Sequence, residues 1–188
     1  MDEASKQLVA ESRPHVPGGP GHVERYDYEY VRRGVADLFL FAEPLRGGRT
    51  IRVAARRTKQ DWAHAVRAVL DEQFPDAARI ILVCDNLNTH TPGALYEAFP
   101  PQEARRLLDR LEIHYTPKHG SWLNVAEIEL SLLSRQCLAD RIPDQDTVSQ
   151  GVTAWCARRN TEGHRVDWHF TTADARIKLK HLYPSTTT

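Results

Sequence analysis

The spacing of apolar and polar residues along the chain predicts a mixed α/β fold. Residues 36–43 (ADLFLFAE) and 50–55 (TIRVAA) are typical of strands, and the Gly-Gly pair between them indicates a hairpin turn. Residues 79–84 (RIILVC) form a continuous apolar run, which favours a strand covered on both faces in a parallel sheet. We expect a shorter strand at residues 112–115 and part of a strand at residues 1–10.

Helical spacing appears after Thr58, which is placed to cap a helix. The apolar residues that follow it recur on one helical face: Trp62, Val66, Val69, Leu70 and Phe74. Five further helical segments are expected, at residues 92–99, 103–111, 123–138, 146–159 and 173–183. Strands alternating with helices in this order predict a mixed sheet with helices on both sides.

Composition narrows the class of protein. The 188 residues fit one domain, and 41% apolar with 27% charged residues is globular composition. No stretch approaches the roughly 18 consecutive apolar residues of a membrane span, and the first residues lack the apolar segment of a secretory signal. Three widely spaced cysteines without a CxxC pair support neither a disulfide framework nor a zinc ribbon. We therefore expect a cytoplasmic protein with no membrane partner.

Charge is balanced overall but not along the chain. The 25 basic and 25 acidic residues cancel, which argues against binding nucleic acid through bulk charge. Between Glu43 and Asp61, however, no acidic residue interrupts a basic run: Arg46, Arg49, Arg52, Arg56, Arg57 and Lys59. By itself, such a run is more typical of a solvated surface than of a DNA-backbone contact.

Acidic residues lie at three predicted element ends. Asp85 directly follows the most apolar strand, at the edge where open α/β sheets bind ligands. Glu127 and Glu129 lie early in a helix, and Asp2 lies next to the first residue. Each has a simpler explanation as a turn residue, a helix-dipole carboxylate or a terminal residue. Together, three carboxylates could hold a pair of Mg²⁺ ions for chemistry at phosphorus.

Long motif strings resemble one family. LVCDNLNTHT at residues 82–91 and HYTPKHGSWLNVAEIELSLLSRQCL at residues 114–138 resemble the DDE transposases of the insertion-sequence-630 family, a branch of the mariner-like superfamily. MDEASKQL at residues 1–8, YDYEYVRRGVADLF at 26–39 and DWHFTTADARIKLKHLYP at 167–184 also match. The resemblance implies a ribonuclease-H-like fold, and it covers essentially the whole chain.

The resemblance also implies a site. Asp2, Asp85 and Glu127 are the expected catalytic, metal-binding triad for Mg²⁺ or Mn²⁺, with two ions expected. Glu127 is preferred to Glu129 because the family pattern places the third acid after Trp-Leu-Asn and two intervening residues. Further residues are expected to hold the carboxylates in place or to contact DNA phosphates: Asn86, His90, His119, Asn124, Arg56 and Arg57.

The domain expectation follows from the same comparison. Residues 1–188 match a catalytic domain, without the helix-turn-helix region with which family members read transposon ends. The chain starts one residue before the first catalytic Asp, so the first strand is expected to be truncated.

The expected function is Mg²⁺-dependent cleavage at transposon ends and strand transfer into target DNA. The expected partners are DNA and a second copy of the chain, with nucleoid association when bound to DNA. Alternatives stay open from the sequence: a catalytically dead remnant, a regulatory fragment, one half of a split or frameshifted transposase, or a ribonuclease-H-type hydrolase that acts on RNA.

Overall fold

The computed structural model describes residues 1–14, 16–25, 27–117, 124–178 and 180. The expected mixed α/β class is confirmed in these residues. The strands are β1 (Asp2–Glu11), β2 (Tyr30–Glu43), β3 (Gly48–Ala54), β4 (Ile80–Cys84) and β5 (Leu111–Tyr115). The helices are α1 (Lys59–Ala68), α2 (Pro92–Ala98), α3 (Pro101–Asp109), α4 (Val125–Gln136), α5 (Gln145–Glu162) and α6 (Thr172–Lys178).

The first three strands form an antiparallel sheet with β2 in the middle. Pairing of β1 with β2 begins with Asp2 opposite Leu40 and is interrupted by an irregularity between Leu8 and Val9. The predicted hairpin joins β2 to β3, and Gly47 takes a φ of 78° in its turn, a conformation that suits glycine.

The two faces of β2 are covered by different helices. Because successive strand side chains point to opposite faces, Phe39 and Phe41 lie on one side of β2 while Leu38 and Leu40 lie on the other. The phenylalanine side joins a buried core with Trp62 of α1 and with residues of α2 and α3. The leucine side joins a second core built from α4 and α5. The helices therefore lie on both sides of the sheet, as the sequence predicts.

The strand β4 pairs in parallel with β5, and the two form a separate sheet. The expectation that this strand is covered on both faces is wrong. Leu82 and Cys84 are buried, but Ile81 is 63% and Val83 is 44% exposed. The helices α1 to α3 cover one face only. The apolar run therefore corresponds to a strand with one buried face and one exposed face.

The region around α1 follows the sequence closely. Thr58 caps the helix by accepting a hydrogen bond from the Asp61 amide, and the Asp61 side chain accepts one from the Thr58 amide, which completes a capping box. The helix then continues as a π-helical turn over Val69–Gln73. The apolar face predicted for this segment points into the core.

The last helices differ in burial. α5 is longer than predicted and ends at Gly163, which takes the left-handed conformation at φ 66°. It packs against β3 with Trp155 buried. α6 buries none of its residues. The predicted extension of this helix beyond Lys178 falls largely on residues outside those described.

Candidate active site

Three element ends meet at one place in the fold. The backbone nitrogen of Met1, just before β1, donates to the carbonyl oxygen of Val83 in β4. Asn124, which begins α4, donates from its side-chain amide to the carbonyl oxygen of Met1 at 3.1 Å. Asp2 directly follows Met1, Glu127 lies three residues beyond Asn124, and Asp85 lies two residues beyond Val83. The hydrogen bonds thus bring the start of β1, the end of β4 and the start of α4 together.

The pKa of the Asp2 carboxyl indicates that the same three regions lie near one another. Burial raises the pKa of its carboxyl above the ordinary 3.8, and the negative charges of Asp85 and Glu127 raise it further. The Glu3 amide donates to Asp2 Oδ1 at 2.8 Å and opposes the rise. Like charges raise the pKa of a carboxyl when they lie near it. The three acids predicted from the sequence therefore share one electrostatic neighbourhood.

Asp85 is in contact with a buried histidine. His90 Nδ1 lies 2.7 Å from Asp85 Oδ1 and 3.3 Å from the backbone oxygen of the same residue. The other ring nitrogen, Nε2, lies 2.8 Å from Glu3 Oε1. Both the His90 and Glu3 side chains are withdrawn from solvent, whereas the Asp85 side chain is 33% exposed. A carboxylate, an imidazole and a second carboxylate thus form a chain that leads from the interior to the site.

The surroundings of His90 decide its charge. Burial opposes the charged ring, but hydrogen bonds with Cys84 and Glu3 and the charges of Glu3 and Asp85 raise its pKa to about 10. The ring stacks on Trp62 with 5.5 Å between centroids. The Tyr115 hydroxyl donates to the backbone oxygen of His90 at 2.7 Å. His90 is therefore an imidazolium near neutral pH, fixed on several sides.

The two glutamates of α4 have opposite environments. Glu129 is buried and pairs with Arg49 (Nε to Oε2, 2.9 Å) and with Arg159 (Nη2 to Oε1, 3.2 Å). Glu127 is exposed, and its side chain makes no hydrogen bond or ion pair within the described part of the chain. Glu129 therefore helps to hold α4 against β3 and α5. Glu127 is the carboxylate that remains available to an external group.

The remaining candidate residues separate into two kinds. Asn124 is buried and caps α4, since its side-chain oxygen accepts from the Ala126 amide at 3.2 Å. Asn86, by contrast, is exposed and forms no hydrogen bond with any described residue. His119 lies outside the described residues, so its predicted role is not addressed by the structure.

The basic run is mostly neutralised. Arg49 lies in the buried cluster with Glu129, Arg52 pairs with Glu72 at 2.6 Å, and Lys59 pairs with Glu97 at 2.8 Å. Arg46 contacts Glu43 at 4.0 Å. Two arginines remain exposed, without an acidic partner among the described residues: Arg56 and Arg57.

Sequence reasoning missed the residues that support this site. Glu3 is adjacent to the candidate Asp2, yet an acidic residue on a strand gives no sign of a partner 87 positions away. The helical spacing of Trp62 predicts only that it faces the core and gives no sign of its contact with His90. The signal that could have found them is chemical. A buried glutamate is costly unless it is paired and hydrogen-bonded, and a buried histidine is a suitable partner.

A comparison with family models identifies the family of the chain. Residues 1–149 match the model of the DDE superfamily endonucleases, and the chain belongs to this family. Membership implies a nuclease or transposase class of enzyme with DNA as its substrate. Comparison with curated proteins and with solved structures gave no match. Among the described helices, none has the length and apolar character required to cross a bilayer.

Nucleases of this superfamily use divalent metal ions, and the donor set fits one. Asp85 Oδ1 is held by His90 Nδ1 at 2.7 Å, and the neighbouring carboxylates raise the pKa of Asp2. Carboxylate oxygens in a negative neighbourhood suit a hard cation. Within the residues described, however, no group of three His, Cys, Asp or Glu side chains is arranged to hold an ion. The described side chains therefore do not form a preassembled metal centre.

Proposed function

We propose that residues 1–188 form the catalytic core of an insertion-sequence-630-type transposase with a ribonuclease-H-like fold. It cuts phosphodiesters at transposon ends and joins the freed 3′-hydroxyl to target DNA. The observation that supports this most is the convergence of Asp2, Asp85 and Glu127 from three different elements, within a chain that belongs to the DDE superfamily endonucleases.

The chemistry needs no covalent protein–DNA bond. In the first step water attacks phosphorus, the P–O3′ bond breaks, and the leaving oxygen takes a proton to become a 3′-hydroxyl. In the second step that hydroxyl attacks a target phosphodiester and releases a new 3′-hydroxyl. Both steps are displacements at phosphorus, so one site serves both.

Each residue of the site has a defined part in this proposal. Asp2, Asp85 and Glu127 would hold two Mg²⁺ or Mn²⁺ ions, which would supply electrostatic stabilisation to a displacement at phosphorus. Asn124 ties the helix that presents Glu127 to the strand that presents Asp2. Arg56 and Arg57 contact DNA phosphates and position the strand. We further propose that a homodimer acts on paired ends and that the protein works at the nucleoid in the cytoplasm.

The test is nicking of supercoiled plasmid with Mg²⁺ or Mn²⁺. We expect Asp85→Ala to abolish nicking while the variant still melts cooperatively, because removing one of several crowded carboxylates relieves repulsion. Asp76→Ala is the matched control, since this exposed aspartate makes no side-chain hydrogen bond or ion pair in the described structure, and it should nick at the wild-type rate. Equal nicking by wild type and Asp85→Ala would exclude the proposed site.

A second candidate function is a DNA-binding or regulatory transposase fragment that does not cut. The observation that favours it is the lack of a preassembled cluster of metal ligands among the described side chains. DNA binding without nicking by the wild-type chain, with either metal, would select this candidate.

A further inference from the structure

Glu3 is a buried carboxylate that the proposed cleavage chemistry does not use. Its side chain is only 4% exposed, and its Oε1 lies 2.8 Å from His90 Nε2. A buried carboxylate is costly unless it is paired and hydrogen-bonded. Its partner is His90, which contacts Asp85 through its other ring nitrogen.

The strand register explains how Glu3 reaches His90. Glu3 pairs with Phe39 in the β1–β2 ladder, and paired residues of an antiparallel sheet share a face. Phe39 lies in the core formed with Trp62, the residue that stacks on the His90 ring. Asp2, which directly precedes Glu3 in β1, points to the opposite face. Consecutive acids of one strand thus serve different purposes.

The ring of His90 has two orienting contacts in its plane and one on its face. Nε2 faces Glu3, Nδ1 faces Asp85, and Trp62 limits tilting of the ring. Trp62 packing does not define rotation within the ring plane, whereas a hydrogen bond at Nε2 does. Without Glu3, the ring would lose the contact that keeps Nδ1 directed at Asp85.

We propose that Glu3 is a positioning residue, which holds His90 so that the ring fixes the Asp85 carboxylate at the candidate metal site. This inference rests on the proposed function, in which Asp85 binds metal. Outer partners of metal ligands typically change metal affinity by about 10–100-fold when they are removed. The same range is expected here.

The experiment compares three variants with the wild-type chain by Mn²⁺ titration, followed by electron paramagnetic resonance, and by nicking kinetics. Glu3→Met removes the hydrogen bond with an apolar side chain of similar volume, which favours folding. Glu3→Asp shortens the side chain and withdraws the carboxylate from Nε2. Glu3→Gln keeps the length and an oxygen that can accept the ring N–H, and serves as the conservative rescue.

Glu3→Met and Glu3→Asp are expected to bind Mn²⁺ about 10–100-fold more weakly. Their rate at saturating DNA should fall with the KM for DNA unchanged, because Glu3 acts on Asp85 and not on DNA. Glu3→Gln should remain within about threefold of wild type. Wild-type Mn²⁺ affinity in folded Glu3→Met or Glu3→Asp would overturn the positioning role and leave a structural ion pair. A Glu3→Gln variant that binds Mn²⁺ as weakly as Glu3→Met would overturn it as well, because keeping the hydrogen bond to His90 would then not preserve metal affinity.

Asp85→Ala separates this inference from the function on which it rests. If Asp85→Ala binds Mn²⁺ as tightly as wild type, the proposed metal site is wrong and the role of Glu3 is wrong with it. If Asp85→Ala loses Mn²⁺ while Glu3→Met and Glu3→Asp keep it, only the role of Glu3 is wrong.

Discussion

Two glutamates of α4, separated by a single residue, show how burial gives different roles to the same type of side chain. Glu129 lies under the surface between two arginines, and its charge is balanced there. Glu127 lies exposed beside Asp2 and adds to an unbalanced negative charge. A buried, paired carboxylate holds elements together, whereas an unbalanced one near other acids is available to a cation.

The two glutamates should respond differently to the same substitution. Glu129→Gln leaves Arg49 and Arg159 buried without their counter-charge, and we expect a loss of about 3–5 kcal/mol in the free energy of unfolding. Glu127→Gln should change that free energy by less than about 1 kcal/mol, as surface substitutions do, and should abolish nicking. Urea unfolding and the plasmid assay measure both. A strongly destabilised Glu127→Gln would contradict this assignment.

Asp71 provides a pH-dependent contribution to stability away from the site. Hydrogen bonds from Arg106 lower the pKa of its carboxyl below the ordinary 3.8, and the charge of Arg110 assists. A lowered folded-state pKa means that the stabilisation is fully present above pH 3.8 and is lost as the pH falls through that value and the folded value below it.

We therefore expect Asp71→Asn to reduce the acid sensitivity of the chain. The urea midpoints of wild type and variant should differ at about pH 7 and approach each other as the pH falls below 3.8, because protonated Asp71 no longer pairs with Arg106. Asp76→Asn, which removes an aspartate without a side-chain hydrogen bond or ion pair in the described structure, should keep the wild-type pH dependence. A constant difference between wild type and Asp71→Asn across this range would refute the linkage.

At the scale of elements, α1 connects the fold to the site. Its capping box fixes where the helix begins, and the helix then places Trp62 in the core against His90. Thr91 is the N-cap residue of the neighbouring α2, but its side chain makes no capping hydrogen bond. Two threonines at equivalent helix positions therefore differ in what they contribute.

The two threonines allow a matched comparison. Thr58→Ala removes a capping hydrogen bond, and the expected cost is about 0.5–2 kcal/mol in the free energy of unfolding. Thr91→Ala removes no such bond and should cost less than Thr58→Ala. Urea unfolding of both variants, in the same buffer, measures the difference. Equal costs would mean that the box at Thr58 does not stabilise the helix in solution.

At the scale of the whole molecule, net neutrality conceals a local cationic site. Most arginines and lysines of the basic run are paired with acids, which leaves Arg56 and Arg57 exposed after β3. Two adjacent unpaired guanidinium groups are suited to bind phosphates, and such contacts position DNA without reading its sequence.

Binding to DNA should therefore be weak and indifferent to sequence, with an affinity that falls steeply as salt rises. Replacing Arg56 and Arg57 with alanine should lower the affinity for all sequences alike and flatten the salt slope by up to about two units. The control replaces two arginines that already pair with carboxylates, Arg79 and Arg105, and should leave the slope nearly unchanged.

The measurement is a salt titration with transposon-end DNA and with scrambled DNA of equal length. A tenfold preference for the end sequence, about 1.4 kcal/mol, would show that the chain reads bases and would contradict this prediction.

The sequence by itself determined the local features. The capping signal at Thr58, the Gly-Gly hairpin turn, the apolar helix faces and the mixed α/β class all follow from interactions between residues close in the chain, which a linear pattern records. The candidate acids were also named from motif strings, because those strings preserve the chemistry of a site together with its spacing.

Only the tertiary structure decided which of these residues share surroundings. The open face of β4, the use of Glu129 in a buried ion cluster and the pairing of Glu3 with His90 depend on elements far apart in sequence. Burial and charge pairing are properties of the packed chain, since they depend on what covers a residue and not on its neighbours in sequence. A glutamate on a strand or a helix therefore shows its role only when the partner that folding brings to it is known.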